Sequence, residues 1–239
     1  MASERWIILA ALALAAAAGL WLTLSSGDIL MASASGTAFY LVLLFVMWSS
    51  MMLAMMLPSA APAILTHRAM SARLAARGGL PSPPALFVAG YAVIWAAFSL
   101  AAMTLQLLVP VRLTGMMAVT STALGATLLI AAGLYQMTPL KQSCLKRCQS
   151  PLLFFARRWR EGALRMGLRH GIDCVACCWV LMGLLFYGGV MEPRWIVGLA
   201  VFVAAEKLIP ARSQLSRFTG LLLIGWGAWV ILAPMAGVN

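Results

Sequence analysis

Seven apolar runs, most of them near 20 residues, divide this chain: Trp6–Leu24, Phe39–Leu65, Ala85–Val109, Met116–Met137, Ile172–Val190, Trp195–Ile209 and Phe218–Met235. A run of about 20 such residues crosses a hydrocarbon core about 30 Å thick. Backbone groups in that core must pair within the segment, which makes each run a helix. Charged residues are 10% of the chain, against about 25% in a soluble domain. The expected fold is therefore all-α: one polytopic membrane bundle over residues 1–239, with about seven transmembrane helices. The sixth run is short, and spans thinly or starts before Trp195 at Pro193. The first resembles a signal peptide, with Arg5 ahead of it and Ala32-Ser33-Ala34 behind. Its length exceeds the usual apolar region of about 7–15 residues, which favours a retained anchor.

The loops orient the bundle. Fifteen of the 17 Lys and Arg fall in alternate loops, and only Arg112 and Arg194 fall in the others. The basic side is cytoplasmic by the positive-inside rule, so the N-terminus is cytoplasmic and the C-terminus periplasmic. This placement also accounts for the net charge of +11. Anionic membrane lipids are the expected partner of that charge, and nucleic acid is not. The longest loop, 137–171, mixes Phe154, Phe155, Trp159 and Leu164 with arginines. It reads as a basic amphipathic helix on the cytoplasmic leaflet. Gly78-Gly79 and Pro81 to Pro84 form a stiff hinge between the second and third spans.

Three groups of residues could carry chemistry. Met47, Met51 and Met55 stack at i, i+4, i+8, with Met52 and Met56 in a row beside them. Such a stripe is either plastic packing or a pathway of thioethers for a soft metal. Pro58 and Pro62 follow, where the helix is expected to kink and its carbonyls to need partners. His67 lies at the inner end of the same span. The second group is His170, Asp173, Cys174, Cys177 and Cys178, opening the fifth span. Its i, i+3, i+4 spacing points the side chains one way, and thiolate with imidazole suits Cu(I) or Zn(II). The third is Cys144 and Cys148, whose C-x3-C spacing places both thiols on one helix face among Lys and Arg that favour thiolate. Glu206 closes the sixth span. It could orient a ligand histidine, but an arginine of the basic loop is the favoured partner. With the charge-derived topology, all of these except Met47 sit in the cytoplasmic half. Five cysteines, odd in number and clustered, fit metal or redox use better than a disulfide framework.

These blocks resemble a known family. Met51-Met52-Leu53-Ala54-Met55-Met56-Leu57-Pro58-Ser59-Ala60-Ala61-Pro62 looks like the signature of a bacterial family of predicted metal-binding integral membrane proteins. Met137-Thr138-Pro139-Leu140-Lys141-x2-Cys144-x3-Cys148-x2-Pro151 is similar to a second block. Gly167-x2-His170-Gly171-x2-Cys174-x2-Cys177-Cys178-Trp179-x2-Met182 and Glu206-Lys207 are similar to others. One branch of that family is implicated as a copper chaperone of a tyrosinase-type polyphenol oxidase. The resemblance implies copper handling in a bacterial inner membrane, with a copper-dependent enzyme or a membrane complex as partner. No His-rich tail is present, so high-capacity storage is not implied. The expectation is a Cu(I) chaperone with His170, Cys174, Cys177 and Cys178 as the tight site. Met51, Met52, Met55 and Met56 are then transit ligands, Cys144 and Cys148 an auxiliary pair, and His67, Asp173 and Glu206 supporting groups. Two rival readings stand beside it. One is a metal- or thiol-dependent membrane oxidoreductase, although redox thiols belong more naturally on the oxidising side. The other is a subunit whose methionine and small-residue faces only pack against other helices.

Overall fold

A computed structural model describes residues 2–33, 36–79, 82–108, 120–209 and 214–233. Among them the regular elements are all helical: α1 (Ala2–Ala32), α2 (Ala38–Ala75), α3 (Pro84–Leu108), α4 (Thr122–Met137), α5 (Pro139–Gln149), α6 (Pro151–Arg158), a 3-10 turn (Trp159–Glu161), α7 (Ala163–Gly183), α8 (Leu185–Gly188), α9 (Pro193–Leu208) and α10 (Gln214–Leu232). Five segments are long and apolar enough to cross a membrane: Trp6–Ser26, α2, α3, Ala163–Gly188 and α10. The expectation of seven spans is not matched by length alone. The helices α4 and α9 each have 16 residues. The Met116 start expected for the fourth span lies outside the described residues, as does Met235 of the seventh. A bend of 66° separates α4 from α5, and this pair passes as a span only if the two are taken together. The bend follows from Pro139, which has no N–H to continue the ladder. Thr138 closes α4 instead, donating its N–H and its hydroxyl to the Tyr135 carbonyl at 3.0 and 2.8 Å.

The 137–171 loop is not one amphipathic helix. It breaks into α5, α6, the 3-10 turn and the start of α7. Phe154 and Phe155 are buried in protein, while Leu152 and Leu153 remain exposed. Of the hinge between α2 and α3, Pro81 lies outside the described residues. Ser82 is held there, its N–H donating to Ser71 Oγ (2.8 Å) and its carbonyl accepting from the same hydroxyl (2.9 Å).

The chain forms two compact units. The first comprises Met1–Gln106 with Lys146–Val175, and the second Leu107–Leu145 with Ala176–Asn239. In the first, α1 packs along α2, with Thr23 Oγ1 and Ser50 Oγ 3.0 Å apart. The helix α2 starts at Thr37, whose side chain accepts from the Tyr40 N–H (3.2 Å), and it continues as one helix through Pro58 and Pro62. At about 1.5 Å per residue its 38 residues exceed the thickness of a hydrocarbon core. The contact of α3 with the first part of α7 needs glycine. A Cβ on Gly90 would run into the Leu164 carbonyl, and one on Gly167 into the Phe87 carbonyl. This close approach, typical of membrane helices joined through small residues, brings Phe87 and Tyr91 against α7. In the second unit, α4 packs on α10 through Gly133 and Gly220, where a Cβ on Gly220 would lie 2.8 Å from the Gly133 carbonyl.

Candidate copper site

The methionine stripe is interior. Met47, Met51, Met52 and Met56 are 0% exposed and Met55 is 2% exposed, so both rows face protein. Tyr91, from α3, joins this stripe to α7. Its hydroxyl donates to the Met56 carbonyl (3.2 Å) and lies 3.1 Å from Cys174 Sγ. A tyrosine has one proton to give, so with that proton on Met56 its oxygen accepts from the Cys174 thiol. Ser59 Oγ donates to the same Met56 carbonyl (2.8 Å), one residue beyond Pro58. His170, on the same face of α7 as Cys174 and one turn before it, is buried among the rings of Phe87, Tyr91 and Phe154 at centroid distances of 5.7, 5.9 and 5.6 Å. Tyr91 of α3 thus links the Met56 backbone carbonyl of α2 to the Cys174 thiol of α7 and packs on the His170 ring.

His67 belongs to the same aromatic cluster. It is fully buried and stacks on Phe87 (5.2 Å, 16° between planes), with Phe155 and Trp159 packed against its other sides. Its Nε2 lies 3.2 Å from Ser82 Oγ. Its Nδ1 is buried without a hydrogen-bond partner among the described residues, an unusual state for a polar atom in an interior. Asp173 faces the basic loop, 3.1 Å from Arg147 Nε.

Of the other expected site residues, the second unit holds Cys144, Cys177, Cys178 and Glu206, and the first holds Cys148. Tyr135 donates its hydroxyl to the Ala176 carbonyl and packs edge-on against Trp179 (5.6 Å). Cys144, Cys177 and Cys178 are all buried. Cys148 is only partly buried. No disulfide joins any of the five cysteines. Among the described residues, no three His, Cys, Asp or Glu side chains are grouped so as to hold a metal ion. Glu206 meets Lys141 of α5 at 2.7 Å, where an arginine of the loop was expected.

Tyr91, Tyr135, Gln136 and Lys141 went unselected in the sequence. The signal for Lys141 was present, since it stands inside the quoted Met137–Pro151 block. The tyrosines lie within apolar runs, where an aromatic residue has the look of packing.

No curated protein and no solved structure matches the chain. A family model described as PpoB2, copper chaperone, matches residues 45–230. That stretch runs from just ahead of the methionine stripe on α2 into α10, and takes in both units and every cysteine and histidine. On that breadth of match the chain belongs to the PpoB2 family of copper chaperones.

Proposed function

We propose that the chain carries Cu(I) as cargo through the first unit, between the methionine face of α2 and the Cys174 and His170 side chains of α7. The observation that supports this is the Tyr91 junction, which joins the Cys174 thiol and the His170 ring to the backbone of the helix that carries the buried methionine row. Thioether and thiolate sulfur select Cu(I) over harder ions. Electrostatics favours the same set. A monovalent cation with one thiolate and otherwise neutral ligands forms a neutral group, which a low-dielectric interior tolerates. Three thiolates on one Cu(I) would leave net negative charge there. Methionine ligands are flexible and exchange easily, as transit requires. When Cys174 gives up its proton to bind copper, Tyr91 can turn its hydroxyl to the sulfur. Ser59 still satisfies the Met56 carbonyl.

In this reading Cys148 and His67 are further copper-capable groups of the first unit, and Cys144, Cys177 and Cys178 are copper-capable thiols of the second. The loop charges orient the bundle with the N-terminus cytoplasmic and the C-terminus periplasmic, in the inner membrane. Seven spans then require the bent α4–α5 pair and the short α9 to cross with the five longer segments. The recipient is a copper-dependent enzyme, a tyrosinase-type oxidase being the kind that the family points to.

Copper analysis of the purified protein tests this. About one Cu(I) per chain is expected after anaerobic loading, with most of it lost in Cys174→Ser. Unchanged copper in that variant would overturn the ligand assignment.

A further inference from the structure

The second unit contains a buried ion pair that no copper ligand set requires. Lys141 Nζ lies 2.7 Å from Glu206 Oε2, and the two side chains are 0% and 3% exposed. An amide and a hydroxyl serve the pair. Gln136 Nε2 donates to Glu206 Oε1 (3.1 Å), Ser216 Oγ donates to the same oxygen (3.0 Å), and Lys141 Nζ also donates to Gln136 Oε1. Burying two charges is costly unless they are hydrogen-bonded, and here both carboxylate oxygens and the ammonium have partners. Ionisable residues among membrane helices are rare and mark function by default.

The chemistry that this pair controls is on its own helix. The helix α5 is polar, and only Lys141, Cys144 and Leu145 of it are buried. Lys141 and Cys144 stand three residues apart, on one face. Because Pro139 breaks the backbone ladder, α5 is not held in line by α4. Lys141 reaches back across the bend to Gln136 on α4 and to Glu206 on α9. Of the three buried residues on α5, Lys141 is the charged one.

We propose that the Lys141–Glu206 pair is a positioning device that docks α5 and so keeps the Cys144 thiol buried in the second unit. Glu206 then acts on the cysteine through α5, and is not itself a metal ligand. That Cys144 handles copper rests on the function proposed above. That the ion pair places Cys144 does not.

The test is alkylation of each cysteine by N-ethylmaleimide, followed by mass spectrometry, on the full-length protein in detergent. Cys148, one turn further along α5 and partly exposed, is the internal reference. In the native protein Cys144 should react more slowly than Cys148. Removing both charges as Lys141→Leu with Glu206→Leu leaves no buried charge to unfold the unit. In that double variant the Cys144 rate should rise about tenfold relative to Cys148, as a docked helix becomes locally mobile. Glu206→Gln, which keeps the shape and removes the charge, should give a smaller rise. Cys144 staying as slow as in the native protein, in either folded variant, would overturn the positioning role. Copper content of the same samples separates the two ideas. Unchanged alkylation with copper bound sinks only the positioning role. Raised alkylation with no copper in any sample, native included, supports the positioning role and sinks the copper reading.

Discussion

In the first unit the deepest polar atoms belong to soft or neutral groups: thioethers, the Cys174 thiol, the Tyr91 hydroxyl and two imidazoles among aromatic rings. The second unit has buried thiols too, but it adds a lysine and a carboxylate locked by an amide and a serine. The two kinds of interior resist change differently. A buried charge that loses its counter-charge costs several kcal/mol, so the second interior has one arrangement. Thioethers and a shared tyrosine proton can exchange partners at a cost of about 1 kcal/mol per hydrogen bond. An interior of the second kind holds parts in place. One of the first kind can take up a soft ion and release it. A carrier needs both, and here they are carried by different helices.

The comparison is broken most severely at the ion pair. Lys141→Met leaves a buried carboxylate without its counter-charge, and should cost about 3–5 kcal/mol of stability, read as a drop in thermal midpoint in detergent. The Lys141→Leu, Glu206→Leu double variant should recover most of that loss. A single variant as stable as the native protein would show the pair to be hydrated, and the contrast false.

Gly167→Ala attacks the first unit through packing. Its new Cβ meets the Phe87 carbonyl, so α3 must shift from α7, at about 1–3 kcal/mol. The shift should also separate Tyr91 from Cys174, and Cu(I) retention should fall with stability. Normal copper binding in a destabilised Gly167→Ala protein would show that Tyr91 does not organise the site.

Met51→Leu with Met55→Leu sharpens the contrast, because leucine keeps the volume and removes the sulfur. Stability should change by less than about 1.5 kcal/mol, while Cu(I) dissociation, followed by transfer to a chromophoric chelator, speeds up. Equal dissociation rates would return the stripe to plain packing. The smallest expected effect is that of Tyr91→Phe, about 1 kcal/mol in stability. Copper release should speed up with it, since Cys174 loses its hydroxyl partner.

Much of this was legible in the sequence for definite physical reasons. Helix periodicity put the methionines on shared faces and His170 and Cys174 one turn apart, and the structure keeps both on single helices. Periodicity cannot say which helix lies opposite. Tyr91 was therefore invisible, and so was the close approach through Gly90 and Gly167 that delivers it. Phe154 and Phe155 gave the same amphipathic signal whether they faced lipid or the two histidines. Lys141 looked like one more basic loop residue, because charge counting does not separate a lysine that meets lipid from one that meets Glu206. The fourth and sixth spans were drawn from hydropathy alone, which does not register the bend at Pro139 or the 16-residue length of α9.

The most direct test of a copper route in the first unit is X-ray absorption at the copper edge on anaerobically loaded protein. The native protein should show Cu(I) with a sulfur-dominated shell that includes thioether. In the variant combining Cys174→Ser with Met51, Met52, Met55 and Met56 each changed to Leu, bound copper should fall to background while the protein stays folded. An unchanged copper content with the same sulfur shell in that variant would contradict the account, and would place the cargo on other residues.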